Sequence, residues 1–143
     1  MLGVFSAMEI SASGLSAQRL RMNTIASNLA NARTTRTEAG EPYRRIDPVF
    51  EAVPLKNIGE LGFGGEGASL VRVAELVEDP RPGQLVYEPG HPDANADGYV
   101  EYPNVNAVEE MVNMITASRA YEANVSSVEA IKKMARSAIQ LGG

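Results

Sequence analysis

The sequence contains no cysteine among its 143 residues and a single histidine, His91. Without cysteine, disulfides and thiolate metal sites are excluded. With one histidine, a histidine-based zinc site lacks a second histidine ligand, and the flanking Gly90 and Pro92 favour a surface turn over a catalytic role for His91. We therefore expect no cofactor, no metal and no catalytic site, and a metal-dependent enzyme is the least favoured class.

Long apolar runs are also missing, since none approaches the roughly 20 residues of a membrane span. The first residues, MLGVFSAMEISASG, lack the basic segment of a cleavable signal peptide, and Ser6 and Glu9 interrupt their apolar stretch. We expect no membrane insertion and no cleaved signal peptide. If the protein leaves the cytoplasm, it uses a route that does not read a Sec-type signal.

Positive charge is scarce, because 13 basic residues stand against 18 acidic ones and the net charge is -5. The basic residues form no run or stripe of the kind that binds phosphates, so we expect no nucleic-acid partner. Apolar residues make up 44% and charged residues 22%, values typical of a folded soluble chain.

Both ends of the chain are predicted to be long helices. From about Val4 to Arg33 there is no proline and one glycine, Gly14. Apolar residues recur at intervals of seven, which favours a coiled-coil-like contact. One row is Met1, Met8, Leu15, Met22 and Leu29; the other is Val4, Ser11, Gln18, Ile25 and Ala32.

The C-terminal helix has clear end signals, with Asn106 as the N-cap, Glu109 and Glu110 near its start, and basic residues near its end. Its predicted rows are Ala107, Met114, Tyr121, Val128 and Ala135, and Met111, Ser118, Val125, Lys132 and Ile139.

The middle of the chain is of another kind, because all eight prolines lie within residues 40–104. Strand-like runs at 43–53, 69–78, 84–88 and 99–102 are separated by turn signals. Pro48 and Pro54 place the first run at a sheet edge. The predicted fold class is α+β: terminal helices, 1–36 and 105–143, paired as a coiled-coil-like hairpin, and a small β-rich middle module, 37–104.

Small residues surround Gly14, including Ser11, Ala12, Ser13, Ser16 and Ala17. Glycine costs about 1 kcal/mol relative to alanine inside a helix, so a close approach of another backbone is its expected purpose. A helix that can be approached from several sides suits a packed array of subunits. The alternative is a self-contained hairpin that packs on the β-rich module.

Three stretches of the chain resemble flagellar rod and hook proteins. The first resembles the family's N-terminal signature, the second its C-terminal signature, and the third is most similar to the proximal rod type. The N-terminal signature comprises Ser13–Arg19, Asn23 and Ser27–Thr35. The C-terminal signature comprises Tyr102–Asn106, Glu109–Met114 and Arg119–Asn124. The stretch of the proximal rod type comprises Leu85–Asp93 and Asp97–Val100. The stretch from Ile58 to Ala68 matches nothing in the family pattern.

The resemblance implies a structural subunit of the bacterial flagellar basal body that is exported by the flagellar type III apparatus and assembles with copies of itself and with neighbouring rod proteins. The family's terminal helices pair and build the periplasmic axial tube, which transmits torque. Alternatives are another rod or hook-base protein, or a helical adaptor or export chaperone. A chaperone would form a small oligomer with folded termini.

We predict that the assembly interface contains residues of both terminal helices, with amide groups such as Asn28 bonding between helices. The alternative for the polar members is an ordinary solvated helix face. The predicted interface comprises Met8, Gly14, Leu15, Met22, Ile25, Asn28, Leu29, Asn31, Met111, Met114, Ser118, Tyr121, Asn124, Val125 and Val128.

Three segments of the middle module resemble sites of known chemistry. Asp93-x-Asn95-x-Asp97-Gly98 opens like a calcium loop, but Asn104 stands where an EF-hand needs a bidentate acid, so an Asx-rich turn before a short strand is favoured. The glycines at 62–67 lack the Lys-Ser/Thr of a phosphate loop and predict a flexible loop. Arg44 and Arg45 with Asp47 form a local ion-pair group or contact a neighbouring subunit.

Overall fold

The computed structural model describes residues 2–55 and 68–142. Their order of elements is α1 (Leu2–Ala30), β1 (Ile46–Pro54), β2 (Ser69–Glu78), β3 (Leu85–Tyr87), β4 (Tyr99–Glu101) and α2 (Ala107–Gly142). The predicted α+β class with two long terminal helices is confirmed. Among the described residues, no helix is both long and apolar enough to cross a membrane. The predicted glycine loop at 62–67 lies outside the described residues, as do Met1 and most of the unmatched stretch 58–68.

Helix α2 begins where its cap signal predicts. The side-chain Oδ1 of Asn106 accepts hydrogen bonds from the backbone N–H groups of Val108, at 3.0 Å, and Glu109, at 3.3 Å. These two donors have no carbonyl partner within the first turn of a helix, so the asparagine satisfies them. Glu109 and Glu110 occupy the first turn, where the helix dipole favours negative charge.

The strands form two separate two-stranded sheets, β1 with β2 and β3 with β4. Beyond the ends of the first sheet, Leu55 N–H donates to Ala68 O and Asp79 N–H donates to Arg45 O, so β1 and β2 run antiparallel. In the second sheet Val86 lies opposite Val100, also antiparallel. Pro48 and Pro54 lie on an edge strand, as predicted.

The described residues divide between two compact units. The first draws on Met1–Leu20, Val49–Glu75 and Ala117–Gly143. Its buried apolar side chains are Ala17, Ala117 and Ile131. Two of these three are alanines, so this unit has a thin core in which helices approach closely instead of sharing large side chains.

The second unit draws on Arg21–Pro48 and Leu76–Thr116. Its buried apolar side chains, Ile25 and Val100, are accompanied by three buried polar ones, Thr24, Asn28 and Glu110. A core with so many polar groups is stable only when those groups find hydrogen-bond partners. The contacts of Asn28 and Glu110 are therefore central to this unit.

Candidate assembly surfaces

Gly14 of α1 lies directly against Asn124 of α2. A Cβ atom at position 14 would stand 2.9 Å from Asn124 Oδ1 and 3.0 Å from its Nδ2. The group that approaches Gly14 is thus a side-chain amide, whereas the sequence predicts the approach of another backbone. The same amide donates from Nδ2 to Ala120 O at 3.0 Å, which holds it along its own helix.

Most of the predicted interface residues of α1 lie off its most buried line. Met8, Leu15, Met22 and Leu29 are half-buried, as are Gly14 and Asn31. The most buried line runs through Ala17, Thr24, Ile25 and Asn28. Of the predicted residues, Ile25 and Asn28 fall on it. Since Ala17 and Thr24 are small or polar, a search for large apolar side chains passes over them.

On α2 one predicted row is half-buried except at Ala107, which is exposed, and the other lies one residue away from the most buried row. Met114, Tyr121 and Val128 are half-buried, as are Ser118, Asn124 and Val125. The most buried row, however, is Glu110, Ala117, Asn124 and Ile131, whereas Met111, Lys132 and Ile139 of the predicted second row are exposed. The members of the buried row recur every seven residues, but they are acidic, small, amide and apolar in turn. A search for apolar residues at this spacing therefore does not find the row.

Asn28 connects α1 to the first residue of β1. Its Nδ2 donates to Ile46 O at 2.9 Å, and its Oδ1 accepts from Ile46 N at 3.0 Å and from Tyr43 Oη at 2.8 Å. The amide thereby bonds both backbone groups of Ile46, as a neighbouring strand would. Asn28 is fully buried, so these three bonds satisfy a group that would otherwise be costly to bury.

The polar helix residues bond locally rather than between helices. Asn31 Nδ2 donates to Ser27 O at 2.9 Å and Asn124 Nδ2 to Ala120 O at 3.0 Å, each one turn back on its own segment. Asn28 bonds to the chain before β1. The bonds between packed helices that the sequence suggests for these amides are not the bonds they make within the protomer.

Arg45 and Glu110 form an ion pair inside the second unit. The Arg45 guanidinium donates from Nε to Glu110 Oε1 and from Nη1 to Asp47 Oδ2. Burial alone lowers the pKa of Arg45, but the hydrogen bonds with Asp47 and Glu110 outweigh it and raise that pKa above its ordinary value. Of the predicted group, Arg45 pairs with Asp47, and Glu110 is an unpredicted member. Arg44 instead donates from Nη1 to Arg81 O at 3.2 Å.

Asn104 holds three backbone segments together. Its Oδ1 accepts from Arg45 N at 2.8 Å, and its Nδ2 donates to Asp79 O at 3.1 Å and Arg81 O at 2.9 Å. From the sequence, Asn104 belongs to the C-terminal signature and stands at the twelfth position of the rejected calcium loop. Its partners lie 23 to 59 positions away, so no local pattern could reveal them.

The segment before β4 is the predicted Asx-rich turn. Asn95 Oδ1 accepts from Asp97 N at 3.0 Å and from Tyr99 N at 2.9 Å. Gly98 has a φ of 82°, a conformation that favours glycine. Asp93 accepts from Thr35 Oγ1 at 2.7 Å. The amide oxygen of Asn95, which a calcium loop would turn toward the ion, is thus directed at backbone donors instead.

Helix α2 also carries an apolar surface that faces away from its buried row. Val108, Met111, Val112 and Ile115 are 69%, 56%, 56% and 55% exposed. Their spacing of three and four residues places them on one side of the first two turns; we call this set the α2 stripe. Farther along the same side the exposed residues are polar, small or charged, starting with Arg119, Glu122 and Ser126. The first two turns of α2 therefore expose apolar side chains on the side where a surface helix usually exposes polar ones.

Comparison with known proteins finds a family match for each terminal segment of the chain. Residues 8–36 match the family of flagella basal body rod proteins, and residues 96–141 match the C-terminal family of flagellar basal body rod FlgEFG proteins. These two regions contain most of α1 and α2. The sequence signatures that suggested a resemblance lie within or next to them.

Relatives extend the similarity over the whole chain. It is 45% identical to the flagellar basal-body rod protein FlgC of Borreliella burgdorferi, with 98% of each chain covered. It is 41% identical to FlgC of Bacillus subtilis, over 96% of this chain and 97% of that one, and 41% identical to FlgC of Salmonella typhimurium, over 99% of both. At this identity and coverage, the chain belongs to the FlgC family of flagellar basal-body rod proteins.

Proposed function

We propose that this protein is a non-enzymatic structural subunit of the proximal rod of the bacterial flagellum, and that it polymerises with copies of itself and with neighbouring rod proteins through its terminal helices. The observation that carries the proposal is identity of 41–45% to FlgC proteins across both helices and the middle of the chain. The rod transmits torque along the axis, which requires tight, repeated contacts rather than a catalytic site.

The surface of the helices supports a role in assembly. Besides the α2 stripe, Phe5 near the start of α1 and Met134, Ile139 and Leu141 near the end of α2 are more than half exposed. Large apolar side chains grouped on a surface mark an interaction site when they are contiguous. Neighbouring subunits that cover these side chains supply burial that one protomer lacks.

Pairing of α1 with α2 as a coiled-coil-like hairpin belongs to the same proposal. The approach of Gly14 to Asn124 supports it, and so does the seven-residue spacing of Glu110, Ala117, Asn124 and Ile131. Segments 1–36 and 105–143 then act as assembly helices, and 37–104 as a β-rich module. The fifteen predicted interface residues act within the pair or between subunits.

Export through the flagellar type III apparatus without a cleaved signal peptide completes the proposal. A subunit that travels unfolded benefits from helices that become stable on assembly. The thin core of the first unit supports this, because alanines supply two of its three buried apolar side chains. In dilute monomer we expect weak helical circular dichroism and fast amide exchange in the helical parts of the first unit, residues 2–20 and 117–142. Strong protection there would contradict folding on assembly.

The test of function is deletion of the gene in its host followed by complementation. We expect cells without it to lose swimming and intact basal bodies, and the wild-type gene to restore both. Leu15→Asp or Val125→Asp should block incorporation, because each places a charge on a half-buried helix position. The matched control is Ala130→Asp, at an exposed position of α2. Normal motility and basal bodies after deletion would overturn the assignment.

A further inference from the structure

The α2 stripe needs an occupant, and its size indicates what kind. Four side chains that are each about half exposed make a patch on the order of a few hundred Å², whereas a stable pair of proteins buries about 800 Å² on each partner. The stripe alone is thus too small to hold a lasting dimer. It is the right size for one of several contacts that a subunit makes in a polymer.

The outward side of α1 offers a surface that complements the α2 stripe. Exposed residues recur there at intervals of three and four, namely Glu9, Ala12, Ser16 and Arg19. Ala12 and Ser16 are small, so large side chains from another helix can approach the α1 backbone between them. Glu9 and Arg19 bound this small surface with one charge of each sign; we call the four residues the α1 groove.

The charges beside the two surfaces match in spacing and in sign. Glu9 and Arg19 are ten positions apart. Glu109, which follows Val108 at the start of the α2 stripe, and Arg119, four residues past Ile115, are also ten positions apart. Ten residues span about 15 Å of helix. In an antiparallel alignment, Glu9 of one copy faces Arg119 of the next, Arg19 faces Glu109, and Ser16 falls opposite Val112. A parallel alignment would place like charges together.

We propose that the α2 stripe of one copy docks antiparallel into the α1 groove of a second copy, with Glu9 opposite Arg119 and Arg19 opposite Glu109. This inference rests on the proposed function and deepens it by naming the two surfaces that meet. The contact joins two different patches, so after docking the first copy keeps its α1 groove free and the second copy keeps its α2 stripe free. Such a head-to-tail contact continues from copy to copy and builds an open helical array instead of a closed pair.

The absence of native cysteine allows a direct test by cross-linking. In the full-length chain, Ser16→Cys combined with Val112→Cys places one thiol in each surface, within the 7 Å between Cα atoms that a disulfide requires. Under mild oxidation we expect a ladder of dimers, trimers and larger species, both in isolated basal bodies and in concentrated purified protein. The matched control, Ser16→Cys with Ser126→Cys, moves the second thiol about 21 Å along α2 and should give no ladder.

Each outcome separates this inference from the proposed function. Basal bodies that contain the double-cysteine protein but yield no ladder would overturn the docking contact and leave the rod assignment standing. Products that stop at dimers would overturn it as well, because they indicate a symmetric pair. If the wild-type protein is missing from basal bodies, the rod assignment fails, and cross-linking of the purified double-cysteine protein still decides whether the two surfaces meet.

A charge exchange tests the alignment independently. Arg119→Glu alone should reduce cross-linking at least tenfold, since it faces Glu9 of the neighbour with a like charge. Adding Glu9→Arg to the same chain restores opposite signs and should return most of the ladder. Both positions are exposed, so circular dichroism should show the same fold in each variant. Failure of the second change to rescue the first would overturn the antiparallel register.

Discussion

The guanidinium of Arg45 donates a hydrogen bond to the fully buried carboxylate of Glu110, which lies 65 positions later in the chain. This contact links the residue before β1 to the first turn of α2. The other carboxylate oxygen of Glu110, Oε2, is also buried and has no hydrogen-bond partner among the described residues. The pair with Arg45 is therefore the main compensation for burying this charge.

We predict that Glu110→Gln destabilises the protein by about 3 kcal/mol, the lower end of the range for breaking a buried ion pair, because Arg45 then keeps Asp47 as its one charged partner in this group. Glu109→Gln, one position earlier and exposed, is the control and should change stability by less than about 0.5 kcal/mol. Urea unfolding measures both. Equal effects of the two substitutions would show that the Arg45 pair does not stabilise this unit.

Asn28→Ala should cost about 3 kcal/mol, since it leaves the N–H and C=O of Ile46 and the hydroxyl of Tyr43 without their partner. Asn23→Ala removes an exposed amide from the same helix and should be nearly neutral. Hydrogen exchange adds a local readout, because the Ile46 amide should lose protection in the first variant alone. Retained protection there would contradict the role given to Asn28.

Gly83→Ala should destabilise the protein by about 3 kcal/mol, the upper end of the cost of overpacking. A Cβ atom at this position collides with the carbonyl oxygen of Tyr102, which is backbone and cannot turn aside. Gly90→Ala is the matched control, as its Cβ would meet nothing within 4 Å. Similar unfolding midpoints for the two variants would mean that the 83–102 approach is looser than the structure shows.

Acid stability should depend on Asp79, whose pKa is lowered from 3.8 to about 2, first by the side-chain hydrogen bond from Arg81 and then by the Arg81 backbone N–H. A carboxyl group with a lowered folded-state pKa contributes stability that is fully present above its unfolded pKa of about 3.9. That contribution is lost as pH falls through about 2.

Asp79→Asn should therefore reduce the loss of stability between about pH 4 and pH 2, as measured by urea unfolding at a series of pH values. Arg81→Gln removes the first cause of the pKa shift but keeps the backbone N–H of position 81, so it should change the pH profile in the same direction by a smaller amount. Unchanged acid profiles in both variants would show that the Asp79–Arg81 pair does not contribute to stability in this range.

The sequence predicted the elements of this fold better than their contacts. The predicted strand 69–78 has the same bounds as β2, and Asn106 caps α2 as predicted. Both features depend on residues that are adjacent in the sequence. The first strand begins at Ile46 rather than 43. There Tyr43 bonds to Thr34 and Asn28 instead of to a strand, and these partners cannot be read from strand propensity.

The candidate surfaces were only partly predictable for a related reason. Large apolar residues at seven-residue spacing led to Met111 and Ile139, which are exposed in the protomer, while Glu110, Ala117 and Thr24 are buried. Burial of small and polar groups follows from close helix approach and from distant partners such as Arg45. A pattern built on apolar size detects neither cause.

The short sheets have a consequence for how such a subunit can join its neighbours. Each strand of β1–β2 and β3–β4 leaves one edge unpaired among the described residues, and open edges invite unwanted strand-by-strand aggregation. Pro48 and Pro54 have no N–H to offer along β1, and β2 carries the charged side chains of Arg72, Glu75 and Glu78. These residues discourage amyloid-like joining where many copies are crowded together, and they leave ordered growth to the helical ends of the chain.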